Sequence, residues 1–235
     1  MYYLYYAGMA TDQVTEQIGL AVSRDGVHFD RVNDTGLILP RDKNSRWNNL
    51  RVCNPTVIRF RDEWLMYYHG AHRDGPLGAV VHSIGLARSQ GGVEWSCEDA
   101  PLLCVDDMRD FHPGLAAGEA DGGVIEPAIL VEEGGLQMWF VCYADSYRTD
   151  GKVFHAVSAD GRQWNITRDW VLSGRQFGDC SIHYPQICKS GGAYEVWFTV
   201  RNNRNEACAI CKMKSADGLR MDHLEQVLPQ VSEGF

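Results

Sequence analysis

The chain has 235 residues and a mass of 26.4 kDa. It is 45% hydrophobic and 23% charged, which excludes a disordered chain, and its 24 glycines and 11% aromatics exclude a coiled coil. No run of 18 apolar residues is present, so no membrane span is expected, and a net charge of −9 excludes nucleic acid and anionic membrane as main partners. All-β domains reach this length as one unit, so a single domain over 1–235 is expected. The first residues have no basic region and no signal-peptide shape, so a cytoplasmic location is expected.

Leu4-Tyr5-Tyr6 reads as an aromatic strand and Ile18–Ala21 as its neighbour. Ser23-Arg-Asp-Gly-Val-His-Phe29 follows, a turn whose Asp-Gly pair supplies the positive φ of a tight hairpin. After Trp47 comes a third kind of element, Asn49-Leu-Arg-Val52-Cys-Asn-Pro55. There the Pro opens an apolar strand, at a position that needs no ladder donor. Met66-Tyr67-Tyr68, Ile84–Ala87 and Ser89-Gln-Gly-Gly-Val-Glu-Trp95 then repeat the first three elements. Asp121-Gly-Gly-Val124-Ile-Glu-Pro127, Met138-Trp139-Phe140 and Ser158-Ala-Asp-Gly-Arg-Gln-Trp164 form the next unit. Asp179-Cys-Ser-Ile182-His-Tyr-Pro185, Val196-Trp197-Phe198 and Ser215-Ala-Asp-Gly-Leu-Arg-Met221 form the last.

The turn serines are 66, 69 and 57 residues apart, and the strand motif shared by the last three units is [N/D]-x-x-[V/I]-x-x-P. Four strands per unit at this period is propeller-blade organisation. The expected fold is therefore all-β, a propeller with about four blades, covering approximately 1–36, 37–100, 101–170 and 171–235. No stretch of helical period exceeds two turns. The aromatic residue after each turn is expected to pack between blades. The tail, residues 227–235, reads either as a closing strand at Pro229-Gln-Val or as the lead-in to a further blade. In the second case Phe235 stands where Trp47 and Phe177 stand.

Eight cysteines are present, but a chain of this length without a signal peptide does not call for a disulfide framework. Cys208 and Cys211 form a C-x-x-C in a strand-like run, where residues three apart face opposite ways; no metal site is expected there.

These motifs resemble the five-bladed propeller glycosidases, the superfamily of glycoside hydrolase families 43, 32 and 68 with the looser family 130. The stretch from Met66 to Trp95 is the most blade-like. The sialidase box differs, because there one residue separates Asp from Gly, whereas Asp25-Gly26, Asp160-Gly161 and Asp217-Gly218 are adjacent. The resemblance implies an Asp base or nucleophile on the first blade, an assisting Asp on the second and a Glu acid on the third. Glu126, one residue closer to its Pro than usual, is similar in position to the acid, and Asn54 stands where the assisting Asp would be. The first-blade strand that would carry an Asp is not in this sequence.

In a propeller, residues just before each Pro share a face with residues just after each aromatic strand. The first set is Asn49, Arg51, Asn54, Asp121, Glu126, Asp179 and His183; the second is His69, His72, Arg73, Asp145, Arg148, Arg201 and Asn202. Carboxylates, arginines and histidines together suit glycosidic chemistry, in which one carboxylic acid protonates the leaving oxygen and a second carboxylate activates water or attacks carbon. The expected catalytic set is Glu126, Asp121 and Asp179. The expected substrate-binding set is Asn54, Arg51, Trp47, His69, Asp145, His183 and Arg201, with Trp47 offering a ring to a sugar face. A His69/His72 metal pair is weak, and neither metal nor cofactor is expected. The reading is a glycosidase-like protein acting on a small or oligomeric sugar. The alternatives are a non-catalytic carbohydrate-binding or degenerate propeller and a glycoside phosphorylase using Arg73, Arg148 and His69 for phosphate.

Overall fold

The serine turns fold alike. In the computed structural model, which describes residues 1–9, 15–74, 79–112, 115, 122–144, 151–167 and 170–228, Ser23 Oγ accepts the Gly26 amide at 2.8 Å. The Asp25 carboxylate accepts the amides of Val27 and His28, both at 2.9 Å. The turns at Ser158 and Ser215 repeat both halves of this pattern. Gly26, Gly92, Gly161 and Gly218 have φ between 76° and 79°, a backbone that glycine adopts without a Cβ penalty. The turn at Ser89 keeps the serine half, with Gly92 N at 2.8 Å, but Gly91 replaces the aspartate and the carboxylate half is missing.

The chain divides into two compact units, Met1–Cys104 and Val105–Phe235. In the first, β1 (Tyr2–Met9) pairs antiparallel with β2 (Glu16–Ser23), which also pairs with the short β3 (Asp30–Arg31) and β4 (Leu37–Leu39). A second sheet runs β5 (Arg51–Phe60), β6 (Glu63–Asp74), β7 (Ala79–Ser89) and β8 (Ser96–Cys97), all antiparallel. The core of this unit gathers Ile18, Leu39, Trp47, Val52, Met66, Tyr68 and Ala87. The expected packing of the post-turn aromatic between sheets is seen here: Trp95 lies edge-on to Tyr5 of β1, with centroids 5.9 Å apart.

In the second unit, β9 (Gly123–Glu132), β10 (Gly135–Tyr143) and β11 (Lys152–Ser158) form one antiparallel sheet, with the short β12 (Asn165–Ile166) and β13 (Leu172–Ser173) on β11. The other sheet is β14 (Cys180–Ser190), β15 (Ala193–Asn202), β16 (Cys208–Ser215) and β17 (Asp222–Leu228). β15 shows how sequence writes the strand: Tyr194, Val196, Phe198 and Val200 are buried, while the residues between them turn the other way. Its inward side chains join Ile125, Trp139, Val141 and Ile182 in the core.

Among the described residues the only helices are two 3-10 turns, Val105–Met108 and Gly174–Phe177, as an all-β chain requires. No helix there is long and apolar enough to cross a membrane. Cys208 is exposed and Cys211 buried on β16, opposite faces as their spacing demands, and no disulfide joins the eight cysteines.

The Pro-opened strands share a device that positions side chains. β5, β9 and β14 each break register with their neighbour at the X-Pro pair. The residue before each Pro takes a left-handed backbone: Asn54 at φ 50°, Glu126 at 57° and Tyr184 at 52°. A non-glycine residue rarely adopts this conformation, and each instance costs on the order of 1–3 kcal/mol. A bulge of this kind re-aims one side chain out of the strand's alternation.

Candidate functional site

The bulges of β9 and β14 bring four groups together in the second unit. Glu126 is only 4% exposed. Its Oε2 accepts the backbone amide of Tyr184 at 2.6 Å, and its Oε1 lies 3.4 Å from His183 Nδ1. The other ring nitrogen, Nε2, is 3.1 Å from Ser181 Oγ. Ser181 and His183 are alternate residues of β14 and therefore share a face. Among the described residues no Lys or Arg pairs with Glu126, and an imidazole and one amide face its carboxyl group. Tyr184 itself is 54% exposed, with its ring 6.0 Å from that of His183. A nearly buried carboxyl group on a strained backbone, with one oxygen held by an amide and the other beside an imidazole, has a defined place in the site.

The remaining expected residues lie in more ordinary settings. Asp179 is exposed, and its carboxylate accepts from Asn203 Nδ2 at 3.1 Å and Arg204 Nε at 3.0 Å. Those two donors hold it below the usual carboxylate range. Arg201 pairs with Glu206 at 2.6 Å, and Arg51 with Glu16 at 3.0 Å. Asn54 sits half-buried at the β5 bulge. His69 is buried, its Nε2 in short contact with His82 Nδ1 and its Nδ1 3.5 Å from Cys53 Sγ. His72 turns instead to the Trp47 carbonyl at 3.2 Å, so the two histidines of the His-x-x-His address different partners. Among the described residues no cluster of three or more His, Cys, Asp or Glu is arranged to hold a metal ion. Asp121, Asp145 and Arg148 lie outside the described residues.

Trp47 corrects an expectation. It does not offer a ring to a ligand but is packed in the core of the first unit, stacked on Tyr68 with its Nε1 donating to the Asp99 carbonyl at 3.1 Å. Gly70 and Gly85 are the reason: a Cβ at either would overlap the indole, so their bare backbones make the slot that the ring fills.

Sequence reading missed Ser181 and the Tyr184 amide. The signal for Ser181 was its i, i+2 spacing to His183 on a strand; the amide carries no side-chain signature.

Known structures share this architecture. The silkworm (Bombyx mori) GH32 beta-fructofuranosidase BmSUC1 matches 96% of this chain and 47% of its own, with TM-score 0.70 and 13% identity. A thermostable family-43 glycoside hydrolase matches 99% and 72%, with TM-score 0.66 and 17% identity. The fold is that of the five-bladed propeller glycosidases. The GH43 endo-arabinanase of Bacillus licheniformis has this propeller fold too, covering 91% of the chain and 67% of its own, with TM-score 0.61 and 13% identity. By sequence, two uncharacterized proteins of Mycobacterium tuberculosis, MT1551 and Rv1502, are each 26% identical over 166 residues, 68% of this chain. The chain spans about half the length of these relatives, 49% in each case. No family model matches it.

Proposed function

We propose that the chain acts on the glycosidic bond of a small or oligomeric sugar, with Glu126 as the carboxyl group that serves the leaving oxygen. The observation that carries this is the setting of Glu126, nearly buried on a left-handed bulge with one oxygen held by the Tyr184 amide and the other 3.4 Å from the His183 ring. Strained backbone held by its surroundings concentrates at active sites. Glycosidic cleavage also needs a second carboxylate, as base or nucleophile. Asp121, which opens the same strand motif as Glu126, is the candidate; Asp179, which opens the next, is exposed and already paired with Arg204. The exposed ring of Tyr184, one amide away from Glu126, offers an apolar face to a pyranose or furanose.

A second reading, a carbohydrate-binding propeller without turnover, is favoured by two observations. The bulge positions equivalent to Glu126 carry Asn54 and Tyr184, not carboxylates, and the Asp179 carboxylate is already paired with Arg204.

One panel tests both readings. Aryl pentosides, hexosides and fructosides are offered to the parent and to Glu126→Gln, with and without inorganic phosphate. The proposal expects turnover in the parent that falls by about 10²–10⁴-fold in Glu126→Gln. Turnover that requires phosphate marks a phosphorylase. Sugar binding by calorimetry with no turnover leaves the binding module.

A further inference from the structure

We infer that Ser181 and His183 are positioning residues for Glu126, a relay that decides which imidazole nitrogen carries the proton and so where the carboxyl group points. This rests on the reading of Glu126 given above. The order of groups is hydroxyl, imidazole, carboxyl: Ser181 Oγ to Nε2 at 3.1 Å, then Nδ1 to Glu126 Oε1 at 3.4 Å. A nucleophilic triad has the same order. Here the serine is fully buried at 0% exposure and its hydroxyl lies against the imidazole. The order therefore runs as support, with the hydroxyl setting the ring and the ring setting the carboxyl.

The chemistry of each atom fixes the direction. When Glu126 is a carboxylate, Oε1 only accepts, so Nδ1 must carry the hydrogen that faces it. Nε2 is then a bare lone pair, and the Ser181 hydroxyl is the group placed to donate to it. A neutral imidazole in water favours the other tautomer, with hydrogen on Nε2, so the protein has to hold this one in place. On Oε2 the Tyr184 amide donates at 2.6 Å, so each carboxyl oxygen has its own neighbour.

The test needs no substrate. Two-bond proton–nitrogen spectra of the full chain labelled with nitrogen-15 histidine report the tautomer of each neutral ring, and His183→Gln identifies the resonance by its loss. The inference expects hydrogen on Nδ1 in the parent, and a shift toward the Nε2 form in Ser181→Ala, which removes one oxygen from the core. Glu126→Gln should also move the His183 signals. A parent ring carrying its hydrogen on Nε2 overturns the relay, and so does a Ser181→Ala spectrum that matches the parent. Because the parent spectrum alone decides the first point, a poorly folding variant does not rescue the idea. If the tautomers behave as expected and no sugar is turned over, the glycosidase reading fails and the relay stands. If Glu126→Gln abolishes turnover while the tautomer ignores Ser181, the relay fails and the glycosidase reading stands. Where turnover exists, Ser181→Ala lowers kcat with KM held, the mark of an interaction used in the chemical step.

Discussion

The hydroxyl of Tyr5 donates to the carbonyl of Gly92 at 2.7 Å, tying the aromatic strand of one sheet to the glycine turn of the next. Trp139 makes the same tie in the second unit, its Nε1 donating to the Gly218 carbonyl at 2.9 Å. The two aromatics occupy equivalent places in the repeat, and so do the two glycines. Burial pushes the Tyr5 hydroxyl up to about 12, so it remains a donor through the whole neutral and mildly alkaline range. Tyr5→Phe should cost about 1 kcal/mol by leaving the Gly92 carbonyl without its partner. Trp139→Phe should cost more, about 2–4 kcal/mol, because it also opens a void in a fully buried site. Urea unfolding of both variants measures this, and a Tyr5→Phe variant as stable as the parent would show that the tie contributes nothing.

The turn at Ser89 has an empty place that the other three fill. Gly91 has no atom within 4 Å of where its Cβ would stand and does not need a positive φ. Gly91→Asp should restore the carboxylate half of the turn by accepting the amides of Val93 and Glu94. Turn caps and removal of glycine freedom from the unfolded chain each stabilise by about 0.5–1 kcal/mol. A rise in Tm of a few degrees is expected; an unchanged or lower Tm would count against the motif as a source of stability.

Three of these turns should also give the protein acid sensitivity. The Asp25 carboxyl is held well below its ordinary range by the His28 side chain and by the amides of His28 and Val27. Asp160 is lowered by the amides of Gln163 and Arg162, and Asp217 by those of Arg220 and Leu219. A depressed folded value means that the stabilisation is present above the unfolded value, roughly 3.9, and is lost as pH falls below it. The triple variant Asp25→Asn, Asp160→Asn, Asp217→Asn should therefore lose less Tm than the parent between pH 5 and pH 3. Parallel curves would rule these carboxylates out as the acid-sensitive groups. All three are solvent-exposed, so the difference should be small and should shrink with salt.

Asp179 and Glu126 came from the same motif and should behave differently. Asp179→Asn removes one side of an exposed, solvent-screened ion pair with Arg204, so the fold should be little changed. Turnover in Asp179→Asn should stay within a few-fold of the parent while Glu126→Gln loses orders of magnitude. A collapse of activity in Asp179→Asn without loss of fold would return it to the reacting set.

The repeat was legible because its turns are written in side chains: the serine, the aspartate and the glycine of each turn all make the bonds that their chemistry implies. The Pro-opened strands were legible for the same reason. The left-handed backbone before each Pro was not, because nothing about Glu or Tyr favours it and only the register of the neighbouring strand demands it. Trp47 was misplaced because its slot is made by Gly70 and Gly85, more than 20 residues away, and a glycine's absent side chain leaves no pattern to read. The Glu126–His183 contact joins residues 57 positions apart, a pairing set by how two sheets of one unit meet and not by any local spacing.

The three bulges also separate shape from reactivity. At 54, 126 and 184 the backbone is held by a proline and a shifted ladder, and the side chain there is an amide, an acid and a phenol in turn. Each position works as a socket: the scaffold fixes where the group sits and leaves its identity open. A lineage built on such sockets can trade one reagent for another by single substitutions, with little cost to the fold that presents them.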